Sequence, residues 1–463
     1  MNSFDYRGNV MPRRTWFHLR SGLTIYMIAI FLACVALGKM AVAQDSTVSD
    51  EASVESPGAS SFLTRPHMFG EWGGLRGKLA EQDGVNFDFQ VFNELLANPI
   101  GGYRYTQDGF SRVRGTLDID LNKLVGVKNT RFHITGVWQN GGAMILRTGS
   151  LADAQGYFSA SVTRLDSWWV QEDLFKGHVN LFVGQIAGMD FFTMNFPPDT
   201  YNWVTNELLY NLQSRFQTGL TPDPASTPAA VVKVNLPHHF YVMNMAQVGP
   251  GCLNPAKPCY RSPYDNDPGG YHFKFNGGGL WNSEVGYSGG LPIIRKEARE
   301  RYAGLYRFSA TYNGTKFENF NTEKFESGNY NVAFMANQPL FRPVAKSNKG
   351  IDLRFGFALT PSDLNKLNQE YLAAVQFPGL IPGRPKDLIS IGFHDYVISG
   401  AYNNHLTSLG TTRLTSEKEW EINYSYWPTP WLQFMPVVEI FKDLGARSGE
   451  TGLIAGFSTR WLL

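Results

Sequence analysis

Apolar and polar residues alternate one by one along segment after segment of this chain, and a period of two dictates strands. In 85–95, Val85, Phe87, Phe89, Val91 and Leu95 share one face, with Asn86, Asp88, Gln90 and Glu94 on the other. In 113–121, Val113, Leu117, Ile119 and Leu121 oppose Arg114, Thr116, Asp118 and Asp120. Tyr306, Phe308 and Tyr312 alternate with Arg307, Ser309 and Thr311, and Ile351, Leu353, Phe355 and Phe357 with Asp352 and Arg354. Near the end, Trp420, Ile422, Tyr424 and Tyr426 oppose Glu419, Glu421, Asn423 and Ser425. Successive strand side chains point to opposite faces, so each segment carries one apolar and one wet face. In a soluble sandwich the apolar face meets a second sheet. In a membrane barrel it meets lipid while the polar face lines the lumen.

The connections separate these readings. Sixteen candidate strands lie near 85–95, 111–123, 130–140, 163–173, 178–186, 229–236, 239–248, 270–276, 280–288, 302–312, 330–338, 350–359, 387–398, 418–427, 431–441 and 452–463. The gaps between them alternate: 96–110, 141–162, 187–228, 249–269, 289–301 and 399–417 are long, and 124–129, 174–177, 237–238, 277–279 and 428–430 are short. Outer-membrane barrels have an even strand count, short periplasmic turns and longer outer loops. The alternation fails at 313–329 and 360–386, and PSDLNKLNQEYLAA in 361–374 reads as helical. The chain ends on an amphipathic strand, with Leu453, Phe457, Trp461 and Leu463 on one face. The expected fold is all-β: a 16-stranded antiparallel transmembrane β-barrel of the bacterial outer membrane.

Composition agrees. Lys and Arg number 41 against 40 Asp and Glu, which removes the clustered basic footprint a nucleic-acid partner requires. A mean hydropathy of -0.23 excludes a bundle of membrane helices, and 33 Phe, 21 Tyr and 11 Trp suit aromatic girdles. Arg13, Arg14 and Arg20 precede an apolar run from Leu23 to Gly38, followed by Ala41-Val42-Ala43. This is the pattern of a cleaved secretory signal peptide over 1–43; a membrane anchor is the competing reading. Residues 44–65 read as a disordered polar linker, 66–84 as a short periplasmic lead-in segment, and 85–463 as the barrel. Cys252 and Cys259, in a Pro/Gly-rich gap of an exported chain, most simply form a local disulfide.

Several motifs are familiar. FGEWGGLRGKLAEQDGVNFDF (69–89), VNLFVGQIAGMDFF (179–192), AGLYRFSATY (303–312), GNYNVAFMANQPLFR (328–342) and above all FPGLIPGRPKDLISIGF (377–393) resemble the carbohydrate-selective porin family, OprB type. The resemblance covers roughly residues 66–463. It implies an outer-membrane channel passing monosaccharides such as glucose into the periplasm, with no catalysis and no cofactor. Sugars and outer-membrane lipid are the implied partners, and a homotrimer is compatible. A general or anion-preferring porin is the alternative. The terminal Leu463 and the Cys252–Cys259 segment depart from the family pattern.

Polar positions on the inward face supply the candidate sugar contacts: Glu94, Arg114, Asp118, Asp120, Arg307 and Arg354, with Asp88, Glu421 and Glu439 on the same wet faces. Arginine offers a planar fork of donors suited to vicinal hydroxyls. The long gap 187–228 is the constriction candidate, by analogy with porin loops that fold into the lumen. Trp168 and Trp169 have unresolved parity. An enzyme is weakly supported: Gly286-Tyr287-Ser288-Gly289-Gly290 matches a nucleophile elbow but is followed by helix-breaking Leu291-Pro292, and His238-His239 has no third ligand at metal spacing.

Overall fold

A computed structural model describes residues 61–152, 161–192, 212, 214–249, 266–344 and 347–463. The described residues lie within one compact unit, Ala59–Leu463. Sixteen antiparallel strands build it: β1 Val85–Ile100, β2 Thr106–Asp120, β3 Thr130–Gly141, β4 Val162–Leu174, β5 Val179–Ile186, β6 Thr227–Asn235, β7 Phe240–Gly249 and β8 Gly278–Gly289 form the first half. Then follow β9 Gly304–Glu318, β10 Phe325–Phe341, β11 Ile351–Leu359, β12 Leu367–Pro378, β13 Leu388–Ile398, β14 Ser416–Thr429, β15 Leu432–Lys442 and β16 Thr451–Leu462. Each strand pairs with its sequence neighbours, and β1 pairs β16, so the sheet closes. Closure leaves no unpaired edge, the condition for spanning a bilayer with strands.

The count of sixteen stands, but two elements differ from the sequence reading. Residues 270–276 belong to no strand, so Tyr271, Phe273 and Phe275 alternate without a ladder partner. Residues 367–378 form β12 instead of a helix. Its Leu, Glu and Ala residues favour helix locally, but pairing with β11 and β13 decides. These corrections shift which end each connection falls on, and the alternation of length holds only in part. The connections 101–105, 319–324 and 360–366 are short on the long-loop end, so the long gap expected at 96–110 is absent. On the other end, 121–129, 290–303, 342–350 and 379–387 are longer. Connections after odd-numbered strands include 142–161, 187–226, 250–277 and 399–415; those after even-numbered strands include 175–178, 236–239 and 430–431. The stretch 319–324 now falls on the long-loop end. The stretch 290–303 moves to the short-turn end, and the short gap expected at 277–279 belongs to the long-loop end.

Burial is inverted relative to a soluble protein. Val113, Trp138, Val183, Trp281, Phe308, Tyr312, Trp420 and Ile440 are exposed on the outside, while Arg112, Arg114, Thr135, Asn282, Arg307, Asn331, Glu421 and Glu439 are buried within. Outward apolar and inward polar residues are what lipid outside and a wet lumen inside require.

The short-turn end is stapled. In the stretch 379–387, Asp387 accepts from Arg384 Nε at 2.8 Å, from the Trp427 amide at 3.0 Å and from the Tyr424 hydroxyl. Gly379 and Gly383 hold positive φ there, at 61° and 73°, which explains the glycine and proline spacing of the FPGLIPGRPKDL motif. Packing begins before position 66: the Trp431 indole donates to the Phe62 carbonyl at 2.8 Å, so residues 61–65 are seated on the barrel instead of belonging to a loose linker.

Candidate functional site

The connection between β5 and β6 carries the site. Its described residues, 187–192, 212 and 214–226, touch inward side chains on widely separated strands. Asp223 is ion-paired with Arg112 and with Arg114 of β2, the latter at 2.9 Å. The Arg307 guanidinium of β9 donates to the Phe191 carbonyl at 2.6 Å, and Asn313 of β9 to the Thr218 carbonyl at 3.1 Å. The Ser214 amide donates to Glu370 of β12 at 2.7 Å. Gln217 exchanges two bonds with the Leu367 backbone, at 3.2 and 3.0 Å. Five strands separate β2 from β12 by the shorter way round the ring, so the segment crosses the lumen from wall to wall.

Apolar burial fixes one side of the crossing. Phe191, Phe192 and Leu220 pack with Trp169, Phe182, Ile186, Val231, Tyr241, Met243, Met245 and Leu280, all inward from β4 to β8. Burial of such side chains contributes roughly 1.5–3 kcal/mol each, so the segment is held by a small core as well as by ion pairs.

The polar anchor on β2 is a compact charge cluster. Arg114 bridges Asp223 and Asp166 of β4, and Asp190 accepts from the Ser167 hydroxyl at 2.7 Å. Burial alone would raise the Asp223 carboxyl, but Arg112 and Arg114 together hold it well below the ordinary range. Burial, reinforced by Asp223, pushes Asp190 up to about 6. Burial also lowers Arg215, which lies inside the segment, to about 10. A second cluster is apart from the first: Arg307 Nε donates to Glu284 at 2.8 Å, and the Tyr241 hydroxyl to the same carboxylate at 2.8 Å.

The sequence candidates divide by role. Glu94, Arg114, Asp118 and Arg354 sit on inward faces. Asp118 lies 2.6 Å from His133 Nδ1, whose ring stacks on Trp169 at 3.9 Å. Asp120 departs from the expectation of a pore contact: its carboxylate caps the short helix Leu121–Val125 through the Asn122 and Lys123 amides. Arg307 is fully buried and holds the crossing segment. Asp88, Glu421 and Glu439 also lie on inward faces. Trp169 faces inward and Trp168 outward, because a bulge opposite Thr135 and Gly136 shifts the register. Ser288 lies in β8, its amide bonded to the His239 carbonyl at 2.9 Å, with no strand-to-helix turn to make it a nucleophile. Cys252 and Cys259 lie outside the described residues.

Sequence reasoning missed Asp166, Asp223, Glu284 and Glu370. Asp166 sits at the bulge, Asp223 in a connection without periodicity, and Glu370 in the stretch read as helical. Glu284 alternates with Val285 and Trp281 and was within reach of the period-two rule.

The carbohydrate-selective porin, OprB family profile matches residues 108–462. Among solved structures, the chain is similar to Pseudomonas putida OprB at high pH, with 18% identity, 87% of this chain and 100% of that chain covered, and a TM-score of 0.72. The low-pH structure of the same protein gives 17% identity, 87% and 99% coverage, and a TM-score of 0.56. No curated protein matches the chain.

Proposed function

The chain belongs to the carbohydrate-selective porin, OprB family, and from that premise we propose that it passes monosaccharides such as glucose by passive diffusion into the periplasm. It is an outer-membrane β-barrel channel. Export by a signal peptide cleaved after Ala43 and a local Cys252–Cys259 disulfide, both supported by the sequence pattern, and association into a homotrimer are parts of the same proposal.

The observation that carries the monosaccharide reading is the crossing segment. It narrows the lumen between β2 and β12, and the charges that hold it are already matched: Arg112 and Arg114 with Asp166 and Asp223, Arg307 with Glu284. Self-neutralised ion pairs leave donors and acceptors in the wall without a strong ion preference, which suits a neutral polyol. Release requires that each contact be weak and that several act in series. Glu94, Asp118 and Arg354 are the proposed sugar-facing positions, while Arg114, expected from the sequence to contact sugar, joins Arg307 in positioning the segment.

Single-channel recording tests this. Added glucose should reduce current through the open pore in a concentration-dependent way, and a salt gradient should give a reversal potential near zero. Current insensitive to sugar up to its solubility, together with a large anion-selective potential, would establish the general or anion-preferring porin instead.

A further inference from the structure

We infer that the stretch 267–273, in the connection between β7 and β8, stands in for a wall strand that β4 lacks, and that it positions the crossing segment from outside the lumen. β5 is only 8 residues long and ends at Ile186, after which the chain turns into the lumen. Its ladder with β4 covers Trp168 to Leu174, so residues 162–167 of β4 have no β5 partner. The other edge of that stretch is weakened as well. Thr135 pairs with Ser167 and Gly136 with Leu165, which leaves Asp166 bulged out of the β3 ladder. A bulge disrupts its ladder locally, and a bare strand edge in a barrel wall leaves backbone groups unpaired.

The stretch 267–273 meets this edge from the outer face. The Leu165 amide donates to the Gly269 carbonyl at 2.9 Å. The Trp168 indole donates to the Gly270 carbonyl at 3.1 Å, and Phe273 packs edge-on against the Trp168 ring at 4.8 Å. Gln185 shares the outward face of β5 with exposed Val183, yet is itself 1% exposed. Its amide nitrogen donates to the His272 carbonyl at 2.7 Å and to Asp267 at 3.3 Å. Asp267 also accepts from the His272 amide at 2.8 Å, which fixes the turn between them. The close approach requires glycine at 270: φ is 71°, and a Cβ there would lie 1.9 Å from the Leu165 carbonyl oxygen.

The crossing segment hangs from the backbone supported in this way. Asp166 pairs with Arg114, which also holds Asp223. The Ser167 hydroxyl donates to Asp190 at 2.7 Å, and the Arg164 guanidinium to the Ser226 carbonyl at 3.4 Å. Residues 164–167 therefore grip the segment at its beginning and at its end. With the β3 ladder bulged and β5 gone inward, the support described on the β5 side comes from 267–273. The inference rests on the barrel being a channel that the crossing segment narrows, and is independent of which solute passes.

Two variants outside the lumen release the stretch: G270V, which forces a side chain against the Leu165 carbonyl, and W168F/Q185L, which removes both side-chain donors. In the purified, detergent-solubilised full chain, hydrogen exchange over 163–168 should quicken several-fold in each. In planar bilayers with salt alone, each should show conductance sub-levels and several-fold more open-channel noise than wild type, as the segment shifts in the lumen. Faster exchange with wild-type current overturns the proposal, because 267–273 would then be only a cover. Wild-type exchange in either variant overturns it too, since the contacts named would not be what holds the stretch in place. No sugar is present in these recordings, so their failure leaves glucose passage standing, and a pore that glucose does not block leaves this inference standing.

Discussion

The Arg76 guanidinium donates to the backbone carbonyl of Leu463, 2.8 Å away and 387 positions distant in sequence. The same side chain donates to the Phe87 carbonyl at 2.9 Å and lies 4.6 Å over the Phe87 ring. Beside it, the Met68 amide bonds the Leu462 carbonyl at 2.8 Å and the Leu463 amide bonds the Phe89 carbonyl at 2.9 Å. The lead-in segment thus ties the last residue to the first strand, across the seam where β1 meets β16. Gly73 and Gly74, at φ 68° and 86°, turn the chain so that Arg76 reaches it. That geometry accounts for the W-G-G-x-R spacing and makes the terminal side chain, here Leu463, secondary to the backbone carbonyl it carries.

Arg76→Ala should therefore weaken closure of the barrel. Hydrogen bonds from a charged donor contribute roughly 1.5–3 kcal/mol each, less here because Arg76 is partly exposed. Urea unfolding in detergent should move to lower denaturant, and Arg76→Lys should recover only part of the loss, since a lysine lacks the fork that serves both carbonyls. An unchanged midpoint would show that the seam is held by its strand ladder alone.

Topology gives a second test. Leu146, 72% exposed, lies in the connection after β3, and Ile293, 89% exposed, in the connection after β8. The two connections are at opposite ends of the barrel. In a background with Cys252 and Cys259 replaced by Ser, an impermeant thiol reagent on intact cells should label Leu146→Cys and spare Ile293→Cys. Labelling of the second alone would invert the barrel in the membrane.

The barrel was legible because its physics is local: alternation sets each strand, and lipid outside enforces it. The errors arose where pairing, not alternation, defines the element. Tyr271, Phe273 and Phe275 alternate without a partner strand, and β12 is paired despite helix-favouring residues. The two errors cancelled in the count while shifting the loop parity between 270 and 386. The lumen was half legible. Inward parity found Arg114 and Arg307, but no rule of periodicity could predict that Asp223 or Phe191 would arrive from a connection and occupy their donors. Those contacts depend on how a long segment folds back through space.

Protonation of Asp190 should make the pore pH-sensitive. Its carboxyl is raised from 3.8 to about 6, so it is neutral below about pH 6 and charged above. A raised carboxyl stabilises its folded surroundings fully below the ordinary value and loses that contribution as pH rises through about 6. The groups facing it are Asp166 and Ser167 from β4, Arg112 and Arg114 from β2, His133 from β3, and Asp223 of the crossing segment. The segment should be held more firmly at pH 5 than at pH 7.5, with quieter open-channel current at pH 5. Asp190→Asn should remove the change between these two values. If the variant keeps it, Asp190 is not the sensor.

Asp223 is where the crossing segment meets β2, and its loss should open the lumen. Asp223→Ala leaves Arg112 and Arg114 side by side, with Asp166 still ion-paired to both and Asp190 in the same cluster. Removing one partner of a buried ion pair costs about 3–5 kcal/mol where the surroundings cannot relax. Here the segment can relax by detaching from β2, because its other anchors, on β9 and β12, are independent of Asp223. The barrel's melting temperature should scarcely change, since every strand ladder is intact and the loss is confined to a local unit. Single-channel conductance should rise, selectivity should shift toward anions through the uncovered guanidiniums, and glucose should block less. Asp223→Asn, which retains a hydrogen-bond acceptor, should fall between wild type and alanine. Conductance unchanged in Asp223→Ala would mean that the apolar packing of Phe191, Phe192 and Leu220 holds the segment across the lumen without its charged anchor.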